Sequence, residues 1–176
     1  NTKKYCANAC YTDRMKLFSR KNDSTVSDTT RMEIYSDAVI AIIITLLVLE
    51  LHVPHLDDPS IEGVLRAIGS IGPSLIAFAF SFLTLSVFWV NHHHFFHELS
   101  RTDGRLLWYN NILLFWLALI PFTTAFLAQN PMVPGVLMVY NFVLFMAALF
   151  FMFMSRYALF SGCMLHAHLS DEEKKE

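Results

Sequence analysis

Fifty consecutive residues, Leu106 to Ser155, contain no Asp, Glu, Lys or Arg. Soluble domains carry roughly a quarter charged residues, so a run of this length with none does not belong in water. It is long enough for two ~20-residue membrane spans with a turn between them. A second charge-free stretch, Ala67 to His97, supplies another span. Across the 176 residues only 16% are charged and 55% are hydrophobic. The fold class is therefore all-α, a polytopic transmembrane bundle of about four spanning helices, since helices satisfy their own backbone groups in lipid.

The remaining span is the most informative. Arg31 to Pro54 reads RMEIYSDAVIAIIITLLVLELHVP. Between Asp37 and Glu50 lie twelve uncharged residues. At ~1.5 Å per residue they make roughly 18 Å of helix, short of the ~30 Å hydrocarbon core. Asp37, Glu50 or both must then lie at or inside the apolar boundary, where a charge marks a pathway or a buried polar network.

Hydrophobic runs and breakers predict helices over about 34–53, ending at Pro54, and over about 64–99 with a break at Gly72-Pro73. Two more follow over about 106–128, carrying Pro121, and about 135–160. Residues 1–30 read as a polar, flexible tail, 31–161 as the transmembrane domain and 162–176 as a second polar tail. Twelve of the thirteen Lys and Arg residues fall on segments expected on one side, and Arg66 alone on the other. By the positive-inside rule both termini are cytosolic and the number of spans is even. The first 30 residues lack the apolar core of a cleaved signal peptide. Cys6, Cys10 and Cys163 read as free thiols, and a net charge of −2 argues against a nucleic-acid partner.

On a wheel of 100° per residue, Arg31, Tyr35, Ala38, Ile42, Thr45, Leu46, Leu49 and Val53 share one stripe of the first helix. Asp37 projects about 140° from Ile42, and Ser36 also lies off the stripe. Two arrangements fit. The stripe faces a symmetry axis while Ser36 and Asp37 bond to neighbouring helices, or the stripe packs internally and Asp37 reaches for the interface.

The run Trp89-Val-Asn91-His92-His93-His94-Phe-Phe-His97 ends the second long span. His93 and His97, or His94 and His97, share a helix face and have the spacing of a metal pair. No further ligand motif accompanies them, so interface hydrogen bonding is the simpler reading, and neither a metal nor a cofactor is expected. Asp37 and His92 or His93 fall at similar depth, and a His or Trp N–H would satisfy a buried Asp37. Asn110 and Asn111 need partners on another helix. With no phosphate loop, nucleophile elbow or carboxylate pair, an enzyme is not supported.

The segment Arg31-Met-Glu-Ile-Tyr35-Ser36-Asp37 resembles the R-x-x-x-F-S-D signature of the lysosomal and prokaryotic potassium channels called transmembrane protein 175, with Tyr35 in place of Phe. The Ala-Ile-Ile-Ile-Thr-Leu-Leu-Val-Leu-Glu run and Trp89-Val-Asn-His-His extend the likeness over most of residues 31–160. The resemblance implies a potassium-selective channel in a prokaryotic cell membrane, built as a homotetramer around the first helix. It places Ile42, Leu46 and Leu49 at an aliphatic constriction and Thr45 as the polar pore-facing group. It gives Arg31, Ser36 and Asp37 a bracing role, in a polar network with Trp89, Asn91, His92 and His93. Potassium ions and the bilayer are the implied partners. The family pattern has six spans per subunit against the four expected here, which reads as a fragment or a reduced member. A proton-linked transporter using Asp37, Glu50 and the histidine run is the second reading, and a metalloprotein using His93, His94 and His97 the third.

Overall fold

A computed structural model describes residues 28–56 and 58–160. Within the described residues six helices follow one another: α1 (Asp28–Leu49), α2 (Ile61–Ser70), α3 (Gly72–His97), α4 (Gly104–Ala118), α5 (Ile120–Gln129) and α6 (Pro134–Phe160). Four segments are long and apolar enough to cross a membrane: Thr29–Leu49, Gly72–His97, Gly104–Gln129 and Pro134–Phe160. The expected class and number of spans are both met. The two tails fall outside the described residues, except that Asp28, Thr29 and Thr30 are helical and extend α1.

Helix α1 begins earlier than the pattern predicts and stops at Leu49 instead of running to Val53. The N–H groups of Glu50 and Leu51 bond back only three residues, to Leu47 and Val48, at 3.3 and 3.2 Å. Pro54 has no N–H to offer the Glu50 carbonyl, and the His52 Nδ1 takes that carbonyl at 3.1 Å. Val53 thus leaves the helix and the stripe drawn through it.

The helix expected over 64–99 with a break at Gly72-Pro73 is two helices, divided at that point. α2 is a separate short helix capped by Ser60, whose Oγ accepts the Gly63 N–H at 3.1 Å. Asp58 bonds the Ser60 N–H and hydroxyl and pairs with Arg66 at 3.2 Å. A Cβ on Gly63 would lie 2.1 Å from the Asp58 carbonyl oxygen, so this cap requires glycine. The chain turns at Ile71 and restarts with Pro73 in the first turn of α3, where a missing N–H costs nothing. The same device splits the third span: α4 ends at Ala118, and Pro121 enters in the first turn of α5.

The α4–α5 span is the most enclosed of the four. α4 packs chiefly on α6, α3 on α5 and α1, and α1 on α3, α4 and α5. Leu85, Leu106, Leu113, Leu117, Ile120, Ala147 and Met154 form the core, joined from α1 by Ile40, Ile43 and Leu47. This packing brings the start of α1, the end of α3, the start of α4 and the end of α6 to one end of the bundle.

Candidate functional site

Helix α1 carries two faces that the bundle treats differently. Met32, Ser36, Ile40, Ile43 and Leu47 recur every three or four residues and are buried against α3, α4 and α5. On the other side Ile42 is 59%, Leu46 42% and Leu49 73% exposed, whereas Ile40 and Leu47 are at 0%. Tyr35, Ala38 and Thr45 lie exposed along the same stripe. Thr45 donates its hydroxyl proton to the Ile42 carbonyl at 2.8 Å, and its oxygen keeps acceptor capacity. Four of the positions named from the wheel and the resemblance, Ile42, Thr45, Leu46 and Leu49, therefore share an uncovered surface.

The buried face is fixed by a directed chain of hydrogen bonds. His92 on α3 meets Asn110 Oδ1 through Nε2 at 2.9 Å. Asn110 on α4 donates from Nδ2 to Ser36 Oγ at 2.8 Å, and Ser36 donates to the Met32 carbonyl at 2.9 Å. Because the amide nitrogen of Asn110 is given to Ser36, its oxygen must accept, and His92 holds its proton on Nε2. Ser36, His92 and Asn110 are each at most 1% exposed. In lipid such groups find partners on another helix, and here one amide joins three helices.

One position along α1, the Asp37 carboxylate accepts the Trp89 indole N–H at 3.0 Å. Below it, Glu33 Oε1 lies 3.4 Å from His93 Nδ1 and 4.0 Å from His97 Nε2. Glu33 and Asp37 thus face Trp89, His93 and His97 in a ladder between α1 and α3, and the His93 ring stacks on Trp89 with centroids 5.6 Å apart. At the same end, Asp103 caps α4 by accepting the Leu106 N–H at 2.8 Å, and the Tyr157 hydroxyl donates to it from α6. Partial burial pushes the Asp103 carboxyl up, but the bonds from Tyr157, Leu106 and Arg105 outweigh it and hold the group below the usual aspartate range.

Two members of the expected network stand apart within the chain. Arg31 is exposed at the rim of an open cavity of ≈ 560 Å³ whose walls include Tyr35, Asp103, Asn110 and Asn111. Asn91 turns back on its own helix, donating to the Val87 carbonyl at 2.8 Å. Conversely, Asn110 is the joint of the buried chain, although the sequence marked it only as needing a partner. Glu33 was passed over inside the Arg31–Asp37 motif. Also missed is a second chain, in which Ser81 lies 2.9 Å from the Tyr140 hydroxyl and 2.7 Å from Thr124 Oγ1, and Thr124 donates to the Ile120 carbonyl at 2.7 Å. A serine in the middle of an apolar span was the available signal for it.

Residues 31–121 match the family model described as endosomal/lysosomal potassium channel TMEM175. A potassium channel of Chamaesiphon minutus is 44% identical over 103 residues, 58% of this chain and 51% of that protein. One of Streptomyces collinus is 40% identical over 104 residues, covering 59% and 50%. The zebrafish Danio rerio protein, described as an endosomal/lysosomal proton channel, is 27% identical over 107 residues, 57% of this chain and 21% of that one. The crystal structure of a lysosomal potassium-selective channel homologue from Chamaesiphon minutus superposes with a TM-score of 0.68 at 37% identity, covering 74% of this chain and 71% of that one. The chain spans about half the length of the bacterial curated relatives it matches.

Proposed function

The chain belongs to the TMEM175 family of potassium channels, and from that premise we propose that it is a channel subunit whose α1 lines a central potassium pathway. The observation that carries this reading is the two-faced α1: Ile42, Leu46 and Leu49 are uncovered while Ser36 and Asp37, on the other side, are tied to Asn110 and Trp89. A helix braced on one side and bare on the other supports assembly of identical subunits around the bare face. A homotetramer gives four Ile42, four Leu46 and four Leu49 side chains in successive rings. Such rings gate by dewetting and select by the cost of stripping water from the ion, and the Thr45 oxygens ease passage between them. Potassium ions and the bilayer are the partners, and permeation needs no cofactor. Four apolar spans and bacterial relatives place the protein as a multi-pass integral membrane protein, with a prokaryotic cell membrane as its setting.

The assembly is tested by cross-linking in a background free of native cysteines. Leu46→Cys on α1 is expected to form inter-subunit disulfides, and Phe122→Cys on the exposed side of α5 is not. Cross-linking at Phe122 alone, or a monomer in detergent, would reject the arrangement.

A proton route through Asp37 and the histidine run is the second reading. The description of the zebrafish relative and the ladder of Glu33, His93 and His97 favour it. It predicts pH-driven flux that His93→Ala abolishes and that Ile42 and Leu46 substitutions leave unchanged.

A further inference from the structure

Among the described residues, one group of side chains converges in a way that the pore reading does not use. The donor atoms of Glu33, His93 and His97 all lie within 4.8 Å of one another. His93 and His97 stand one turn apart on α3 with their Nε2 atoms 3.0 Å apart. Glu33 reaches them from the first turns of α1, with its Oε1 3.4 Å from His93 Nδ1 and 4.0 Å from His97 Nε2. His93 Nδ1 is buried yet makes no hydrogen bond.

We propose that Glu33, His93 and His97 form a binding site for a divalent first-row transition metal ion of the zinc class, clamping α1 to α3. Two imidazoles and one carboxylate are a donor set that suits zinc and leaves a fourth position for water. A tetrahedral ion with donors at about 2.0–2.1 Å spaces them roughly 3.4 Å apart, and Glu33 Oε1 lies 3.4 Å from His93 Nδ1 and 4.0 Å from His97 Nε2. The chemistry also favours a cation. Glu33 and Asp37 bring two carboxylates along one edge of α1, facing the Trp89 indole and the imidazoles of His93 and His97. A divalent ion would neutralise one carboxylate and take an imidazole nitrogen that has no other partner. His93 is 36% and His97 62% exposed at the side chain, so an ion can enter from outside the bundle. The geometry replaces the His94 of the sequence reading with Glu33, since His94 is exposed and is not among the converging donors. The inference is independent of the pore assignment, because binding is read without flux.

The test is calorimetric titration of the purified full chain in detergent with zinc chloride, alongside His97→Ala, Glu33→Gln and His94→Ala. The chain and the His94→Ala variant are expected to bind one ion per subunit with equal affinity. Loss of either ligand weakens binding by at least the roughly 10-fold that even an outer-shell partner is worth. Metal-free melting temperatures of the variants separate a lost ligand from a lost fold. Cobalt substitution gives a second readout, a visible d–d spectrum that disappears in His97→Ala and survives in His94→Ala. No stoichiometric uptake overturns the proposal. So does affinity unchanged in both ligand variants, or weakened equally by His94→Ala.

Discussion

Asn110 Nδ2 lies 2.8 Å from Ser36 Oγ, across 74 positions of sequence and between two membrane-spanning helices. This contact decides which way α1 faces. Ser36 has no freedom to rotate toward the uncovered stripe while its oxygen accepts from α4 and its proton goes to its own backbone.

Replacing Asn110 with Leu is expected to destabilise the chain by about 1–3 kcal/mol, because Ser36 and His92 both lose a buried partner. Asn110→Asp, which keeps an acceptor for His92 but removes the donor to Ser36, gives an intermediate loss. Unfolding in mixed micelles followed by circular dichroism measures both. Equal stability of Asn110→Leu and the unaltered chain would show that the contact contributes nothing.

Asp37 and Trp89 make a second brace, with one donor and one acceptor. Trp89→Phe removes the N–H and leaves the carboxylate without that partner in a partly enclosed site, at a cost of about 1–3 kcal/mol. Asp37→Asn preserves an acceptor oxygen and is expected to cost less than Asp37→Ala. Thermal melting of the three variants gives the order. Asp37→Asn as damaging as Asp37→Ala would assign the role to charge instead of hydrogen bonding.

Asp103 supplies a pH dependence. Its folded carboxyl titrates below the usual 3.8, so it contributes stability above the unfolded value, and that contribution is lost as pH falls through the folded one. Stability is expected to decline below about pH 4, and Tyr157→Phe, which removes one of the bonds responsible, to flatten that decline. Melting temperatures at a series of pH values compare the slopes. A steeper acid decline in Tyr157→Phe would contradict the assignment.

Local periodicity carried the two faces of α1 because a helix sets them within eight or ten residues. Ile42, Leu46 and Leu49 on one side and Ser36 with Asp37 on the other follow from 100° per residue alone. Pro73 was visible as a breaker, whereas Pro121 was read as carried inside one helix; both sit in the first turn of a new helix. What the sequence did not disclose depends on chain segments meeting at long range. Asn110 could be seen to need a partner, but nothing near it identifies Ser36 or His92. Nothing near Glu33 in the chain identifies His93 or His97 as its neighbours, and Ser81 was one small residue among many. The end of α1 was misplaced because Pro54 acts four residues upstream, through the Glu50 carbonyl, and not at its own position.

The central claim is that the bare face of α1 is the ion pathway, and potassium and sodium flux through reconstituted protein tests it most directly. Ile42→Asn and Leu46→Asn replace an aliphatic ring with a hydrated one, so potassium flux is expected to rise and discrimination against sodium to fall in both. Flux and selectivity indifferent to both substitutions would contradict the account.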